Sequence, residues 1–471
     1  MNYSRINFFF HDYETFGINP ATDRPAQFAG IYTDSELNPI KQPELFYCRL
    51  PNDYIPQPKS VLINGITPQL AIIRGFSEAE FAKRIYNILN IKKICIVGYN
   101  NIQFDDEVTR NIFYRNFYDP YSWSWKHGNS RWDILNLTRA CHALRPEGIS
   151  WPKNKNGFTS FKLQHLTQAN NLTHNDIHNA ISDVHATIEI AKLIKKKQPK
   201  LFDFFLKNRT KERLISMIDI IGMKPLVHVS SLFGSLRNNI SLILPLAWHP
   251  NNRNALIVID LYSDIYPLLK LDILSIQKFL INKNKELNLE DIPVKLVHMN
   301  KCPILSYVNT LRLEDQIRLK INLAHCFNNL ELIRNNPTVR KKIVTIFEQK
   351  KQVIASDVDN RLYDGFFSTS DKAKMHIIHK TEPKLLSTLN LKFESSRLKA
   401  LLFRYRARNF PWTLDDNEQK FWKKHCQNIL NNQNIRKFLL ELKILKKLYG
   451  NNRNKIKILR SLYFYLKSII S

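Results

Sequence analysis

Across 471 residues no apolar run approaches the ~18 that would span a bilayer, so a membrane-spanning role is not expected. The stretch Phe8-Phe9-Phe10 is too short for the apolar region of a secretory leader, and none is expected. Cysteine is scarce and scattered. Cys48, Cys95, Cys141, Cys302, Cys326 and Cys426 contain no Cys-x-x-Cys pair, which argues against a zinc site or a disulfide framework and for reduced thiols in cytoplasm. A Gly-rich phosphate loop, an internal repeat and a sustained coiled-coil heptad are all missing. Acidic residues are also few, 41 against 70 Lys and Arg, for a net charge of +29. That balance suits a polyanion, and without a membrane anchor nucleic acid leads. Codon bias is the rival explanation for part of that charge, since the chain is crowded with the Asn, Ile and Lys that AT-rich codons encode. What is present, 44% hydrophobic residues, is enough to bury real cores, and the length suggests about three domains of ~150 residues.

Patterning divides the chain into three. Residues 1–197 alternate short branched or aromatic runs at 6–12, 27–33, 44–50 and 94–99 with 3.6-periodic helices at 105–115 and 179–195. This mixture predicts an α/β domain on a central sheet. The polar run Lys195-Lys196-Lys197-Gln198-Pro199-Lys200 marks its end. Residues 198–354 hold strand candidates at 225–230, 242–248, 255–261, 294–299 and 303–308, with helices at 274–282 and 330–334. That spacing predicts a small barrel with helical additions. Residues 355–471 are helical throughout, with helices predicted over 396–405, 418–430, 435–448 and 455–470.

The first strand runs into His11-Asp12-Tyr13-Glu14-Thr15-Phe16-Gly17. Side chains two apart on a strand share a face, so Asp12 and Glu14 project together, with Phe8 and Phe10 ahead of them. Adjacent carboxylates repel unless a cation sits between them, and paired hard oxygens suit Mg²⁺ or Mn²⁺. Alone, an Asp-x-Glu is common on solvated edges. Asp105 falls at a predicted helix start, where capping is the simpler role, although Asp106 and Glu107 suit that role better. Asp183 shares a helical stripe with Ala180, Thr187 and Ile190, an inward position where an unpaired carboxylate is expensive and a metal removes the cost. The run Tyr121-Ser122-Trp123-Ser124-Trp125-Lys126-His127 is unusually aromatic for a polar loop. Bases of a single strand stack on such rings for ~1–3 kcal/mol each. Some of these rings belong to the core; Tyr121 and Trp125 are the candidates for base contact.

Asp12-x-Glu14, then Phe104-Asp105, then His178 followed five residues later by Asp183, resemble the motifs of the DEDD exonuclease superfamily, and the histidine spacing resembles its DEDDh branch. Gly98-Tyr99-Asn100-Asn101, the run from Asp105 to Tyr121, Arg145-Pro146-Glu147-Gly148-Ile149, Met223-Lys224-Pro225-Leu226-Val227-His228 and Ala407-Arg408-Asn409-Phe410-Pro411 resemble bacterial exonuclease I over nearly the whole chain. The resemblance implies an α/β exonuclease (ribonuclease H-like) domain, an SH3-like β-barrel domain and an all-α C-terminal domain around a single-strand path. It implies 3′→5′ hydrolysis of single-stranded DNA to 5′-mononucleotides, in repair and recombination, with two Mg²⁺ ions per site and Mn²⁺ as a substitute. On this basis Asp12 bridges or anchors the ion pair, Glu14 and Asp183 complete the inner shell, and Asp105 supports the second ion. Glu14 also approaches the terminal sugar.

His178 is then the general base, since an imidazole nitrogen can accept a proton from water and give it up again. His165, His174 and His185 lack the spacing and are expected to bond the backbone. Arg110, Arg139 and Lys162 are the candidate phosphate contacts. The family often has Arg where Lys162 stands, and Lys keeps the charge but loses the bidentate fork. Asn64-Gly65-Ile66-Thr67-Pro68 resembles the segment bordering the 3′-terminal nucleotide, although a turn before a helix explains Asn64 and Thr67 nearly as well. Asp133 in Arg131-Trp132-Asp133 is expected to be structural. The implied partners are single-stranded DNA and the acidic C-terminal tail of the single-stranded-DNA-binding protein, with Lys224 a candidate dock, and the chain is expected to be a monomer. Two rivals stand beside this expectation. A DEDDh exoribonuclease or proofreading subunit is compact and leaves the long extension unexplained. A non-catalytic single-strand-binding scaffold is opposed by the presence of Asp12, Glu14, Asp105, His178 and Asp183 together.

Overall fold

The computed structural model describes residues 7–174, 178–281, 292–348 and 357–470. They fall into two compact units, neither of them a continuous stretch. One gathers Met1–Ser130, His174–Ile188 and Ile354–Ser471; the other gathers Arg131–Thr173 and Glu189–Val353.

In the first unit five strands lie in the order β4-β3-β2-β1-β5: β1 (Asn7–Thr15), β2 (Pro25–Thr33), β3 (Glu44–Cys48), β4 (Gly75–Phe76) and β5 (Ile94–Gly98). β1 runs antiparallel to β2, from Phe8 opposite Thr33 to Thr15 opposite Pro25, and parallel to β5. β2 is buried at every position and Phe8-Phe9-Phe10 on both faces, which is why these strands read as continuous apolar runs rather than alternations. Gly30 makes one of the crossings possible: a Cβ there would lie 2.1 Å from Phe9 Cζ.

Four helices surround these strands: α1 (Pro58–Asn64), α2 (Pro68–Arg74), α3 (Glu78–Leu89) and α4 (Asp105–Arg115). α5 (Ala180–Lys197) follows later in the chain. α1 and α2 each open on proline, whose fixed φ suits the first helical position. Thr67 caps α2, its hydroxyl accepting from Leu70 N at 3.3 Å. One core forms from Phe9, Phe28, Phe81, Ile112 and Phe113. A second joins Phe16, Val61 and Ile66 to Phe438, Leu442, Leu459, Leu462 and Leu466 of the helices Asn432–Leu448 and Arg453–Ile470. Buried charge adds to this packing. The Arg408 guanidinium donates to Asp53 from Nε at 3.1 Å and from Nη2 at 2.6 Å, and to Asp359 from Nη1 at 3.1 Å. Arg24 pairs with Asp359 at 3.0 Å.

The second unit holds an antiparallel five-stranded sheet in the order β9-β8-β7-β6-β10, with β6 (Leu226–Val229), β7 (Ile240–Trp248), β8 (Ala255–Asp260), β9 (Val294–His298) and β10 (Ile304–Tyr307). Pro245 is tolerated inside β7 because the register shifts there, where no ladder hydrogen bond is required of it. Asp133 caps the helix Ile134–Leu144 through Leu135 N at 3.0 Å, a structural role as expected. In the last region the helices Thr369–Lys380, Ser396–Asn409, Asp416–Ile429, Asn432–Leu448 and Arg453–Ile470 make the chain helical, as its pattern predicts.

Differences from expectation have physical reasons. The first strand extends past the predicted 12 to Thr15, because Tyr13 is buried as firmly as the apolar residues before it; its predicted start at Ile6 lies outside the described residues. α1 and α2, at seven residues each, are too short to display a helical period. The predicted helix 274–282 is Ile273–Ile281, with Asn282 outside the described residues, and 330–334 is the end of Leu323–Arg334. The expected boundary at 354/355 also lies outside the described residues.

Candidate active site

The site is built on the end of β1. Its alternation turns His11 and Tyr13 toward the aromatic core and Asp12 and Glu14 the other way. Pins behind the strand hold it: His11 Nδ1 lies 3.0 Å from Val97 O, and Tyr13 OH lies 2.8 Å from Thr109 Oγ1. A β-bulge falls between Glu14 and Thr15, a device that re-aims a side chain beside an active site. Asp105, the first residue of α4, is buried and accepts from Tyr13 N at 3.1 Å. Asp183 comes from the first turn of α5. One carboxylate oxygen each from Asp12, Glu14 and Asp183 lie within 4.8 Å of one another.

That crowding has a measurable consequence. Burial, then Asp105, Glu14 and Asp183, push Asp12 well above the ordinary carboxylate range. Burial, then Asp183 and Asp105, raise Glu14 to about 8, against a hydrogen bond from Asn64 that lowers it. Burial also raises Asp183, opposed by His174 and His178. Three half-buried carboxylates that force protons onto one another form a hard-oxygen donor set that a divalent cation relieves. The residues present therefore fit a metal.

Two histidines approach this set. His178 is exposed, adopts φ 63°, and holds Asp183 through its backbone as α5 begins. His174 corrects the expectation of a backbone bond: its Nε2 lies 2.6 Å from Asp183 Oδ1, with the ring buried. His165 also departs from it, since its Nδ1 meets Ser160 Oγ at 2.8 Å. Asn64, the last residue of α1, is more than a turn residue. It donates to Thr15 O at 3.0 Å and to the Glu14 carboxyl, and accepts from Ile66 N at 3.0 Å, so it fixes the bulged end of β1. Thr67 caps α2, the simpler of its two expected roles.

The aromatic loop divides as the polarity of its surroundings requires. Trp123 is core, Trp125 is 65% exposed, and Tyr121 is half-buried edge-on to Phe366, with ring centroids 5.3 Å apart. Phe366 is itself 82% exposed and Tyr363 62%. Sequence patterning misses this pair, because they lie more than 240 positions beyond Tyr121. Arg110 is not a free cation. Its guanidinium is nearly buried and pairs with Glu107, whose other oxygen accepts from Tyr363 OH. Arg139 donates to Asn136 Oδ1 at 3.1 Å, and Lys162 is exposed just before the helix Leu163–Ala169; both belong to the second unit.

Carboxylates that only a cation can reconcile, gathered at the end of a central strand, are the working parts of a hydrolytic nuclease. Residues 9–191 match the family model described as Exonuclease, 209–349 the Exonuclease I SH3-like domain and 356–469 the Exonuclease I C-terminal domain. The chain is 53% identical to exodeoxyribonuclease I of Escherichia coli (strain K12) over 465 residues, and 48% identical to that of Haemophilus influenzae over 464, each alignment covering 98% of both chains. It belongs to the exonuclease I family. A structure of E. coli exonuclease I with a dA16 oligonucleotide matches with a TM-score of 0.97 at 52% identity, covering 99% of this chain and 100% of that one. A zinc-bound E. coli exonuclease I–ssDNA complex gives 0.96 and an SSB/exonuclease I structure with an inhibitor 0.94, at the same identity and coverage.

Proposed function

We propose that this chain is a 3′→5′ exodeoxyribonuclease that degrades single-stranded DNA to 5′-mononucleotides in repair and recombination. The observation that carries the proposal is the close approach of Asp12, Glu14 and Asp183 in a chain that matches exonuclease I end to end. Asp12, Glu14, Asp105 and Asp183 are assigned to hold two Mg²⁺ ions, with Mn²⁺ a possible substitute. Bound cations supply Lewis-acid charge, which makes water acidic enough to attack at neutral pH and relieves the leaving 3′ oxygen.

The chain's own groups do the rest. A ring nitrogen of His178 accepts the proton of the attacking water, and exposure lets it pass that proton on. His174 orients Asp183 and Asn64 orients Glu14, which borders the terminal sugar. Tyr121 and Trp125, with Phe366 and Tyr363 beside Tyr121, offer faces for unstacked bases. Lys162, Arg110 and Arg139 are assigned to phosphates, Arg110 only by sharing its pair with Glu107. SSB, named in a structure of a relative, supplies the second partner, with Lys224, ion-paired to Asp219 at 3.1 Å, a candidate for its acidic tail. We assign the limits 1–197, 198–354 and 355–471 to the three domains, and a monomer in the cytoplasm. No helix among the described residues is long and apolar enough to cross a membrane. End-labelled single-stranded DNA offered with Mg²⁺ tests the activity: loss of the 3′ label first supports it, and no cleavage refutes it.

A further inference from the structure

One long polar side chain interrupts the buried, largely apolar run of β2. Gln27 is 2% exposed and lies between backbone partners on β1 and β3. Burying glutamine freezes a rotamer-rich side chain, and its amide is tolerated inside a protein only when it is hydrogen-bonded. Yet Gln27 Oε1 is buried with no hydrogen-bond partner among the described residues. Leucine or methionine would fill the space without leaving an orphaned acceptor, so packing does not account for the residue.

The ladder fixes the side on which the amide lies. Phe28 stands opposite Tyr13, and Gln27 opposite Glu14. Residues directly opposite project to the same face, with Cβ atoms roughly 5 Å apart. Phe28 accordingly joins Tyr13 in the aromatic core, and Gln27 projects with Glu14 on the carboxylate side. Its neighbours along that side agree. Ala29 stands opposite Asp12, and Ile31 lines one cavity with His185 of α5, the helix that carries Asp183. Asn64 of α1 already donates to the Glu14 carboxyl. Gln27 is a second amide set beside the same carboxyl, from a different element.

We propose that Gln27 is a positioning residue for Glu14: with a divalent cation bound, its amide donates from Nε2 to the Glu14 carboxylate and fixes which oxygen meets the ion. A half turn about the last side-chain bond exchanges Oε1 and Nε2 without disturbing the packing, so the orphaned end becomes a donor. A carboxylate at this position would add another negative charge to the cluster, and an ammonium would compete with the ion; a neutral amide does neither. Groups that hold a ligand in this way govern cation affinity without touching the cation. The inference deepens the metal assignment of the proposed function and rests on it.

The test replaces the amide with an apolar chain of similar length, Gln27→Met, in the full protein. Calorimetric titration of Mn²⁺ into the metal-free chain should show Kd weakened about 10- to 100-fold. The melting temperature of the metal-free chain should stay at the parental value or rise, because an unsatisfied buried amide has gone. A residue that only supports the fold would behave in the opposite way, with a lower melting temperature and a parental Kd. Either of those two results overturns the proposal. Turnover of single-stranded DNA at Mn²⁺ below the parental Kd should fall by the same factor as affinity. Cation binding is read without DNA, so a parent chain that binds Mn²⁺ but leaves single-stranded DNA intact refutes the proposed hydrolysis and not the role of Gln27. Should Gln27→Met fail to fold, Gln27→Leu decides by the same criteria.

Discussion

A divalent cation entering the carboxylate cluster has to displace protons. Burial with Asp183 and Asp105 raises Glu14 to about 8, so at pH 7 it is roughly nine-tenths protonated, and its carboxylate is available about tenfold less often than at high pH. Asp12 is shifted the same way. Because the protonated forms are favoured, cation and proton compete, and apparent affinity strengthens as pH rises. For Glu14 alone the gain is about tenfold per pH unit below 7, levelling off above 8; Asp12 adds to it. Calorimetric titration of Mn²⁺ into metal-free protein at pH 7, in two buffers of different protonation enthalpy, should therefore report close to one proton or more released per site. Glu14→Gln should release one fewer. The sign also fixes stability: a carboxyl raised on folding favours the fold at pH below its ordinary value and loses that contribution as pH climbs through about 8, so the metal-free fold weakens over that window and added cation restores it. Equal affinity at pH 6.5 and 8.5 with no proton release would refute this reasoning.

Arg408→Met should cost about 3 kcal/mol in urea unfolding, because it removes the guanidinium shared by two buried carboxylates and leaves Asp53 with His425 alone and Asp359 with Arg24 and Arg404; a loss below 1 kcal/mol would mean that those remaining partners suffice. His178→Ala should lower turnover by ~10²–10⁴-fold with cation affinity retained, whereas weakened cation binding with normal turnover at saturation would make the residue structural. His228 is buried, lies 2.9 Å from Ile304 O, and is pushed down to about 4 by burial, so it folds neutral while the unfolded chain takes a proton below about 6.5. Unfolding free energy should thus fall by about 2 kcal/mol between pH 7 and 5, and a His228→Gln chain with the same pH slope would count against it.

The parts of the site that share one element were legible in the residues. Asp12 and Glu14 are two apart on a strand, and Asp183 stands on an inward helical stripe, so local periodicity alone places each on a face. What periodicity cannot carry is contact between segments. His174 reaches Asp183 across the start of α5, Tyr363 and Phe366 reach Tyr121 from more than 240 positions away, and Arg408 joins Asp53 to Asp359. Asn64 looked like a turn residue because its side chain bonds locally to Ile66 N; its second role depends on where β1 ends, which no local pattern records. Fold class was legible for a similar reason, since strand and helix periods are local. The division into two units was not, because it draws on contacts between distant segments, such as the last helices and α1.

The central claim, directional hydrolysis of single-stranded DNA at the β1 carboxylates, is tested most directly by one digestion. Single-stranded DNA labelled at either end is offered with Mg²⁺, beside RNA and duplex DNA of the same sequence, to the parent chain and to Asp12→Ala. The account predicts that the 3′ label leaves first as a mononucleotide while the 5′-labelled strand shortens, that RNA and duplex persist, and that Asp12→Ala leaves every substrate intact. Release of the 5′ label first, RNA lost as fast as DNA, or more than a few per cent of activity in Asp12→Ala would contradict it.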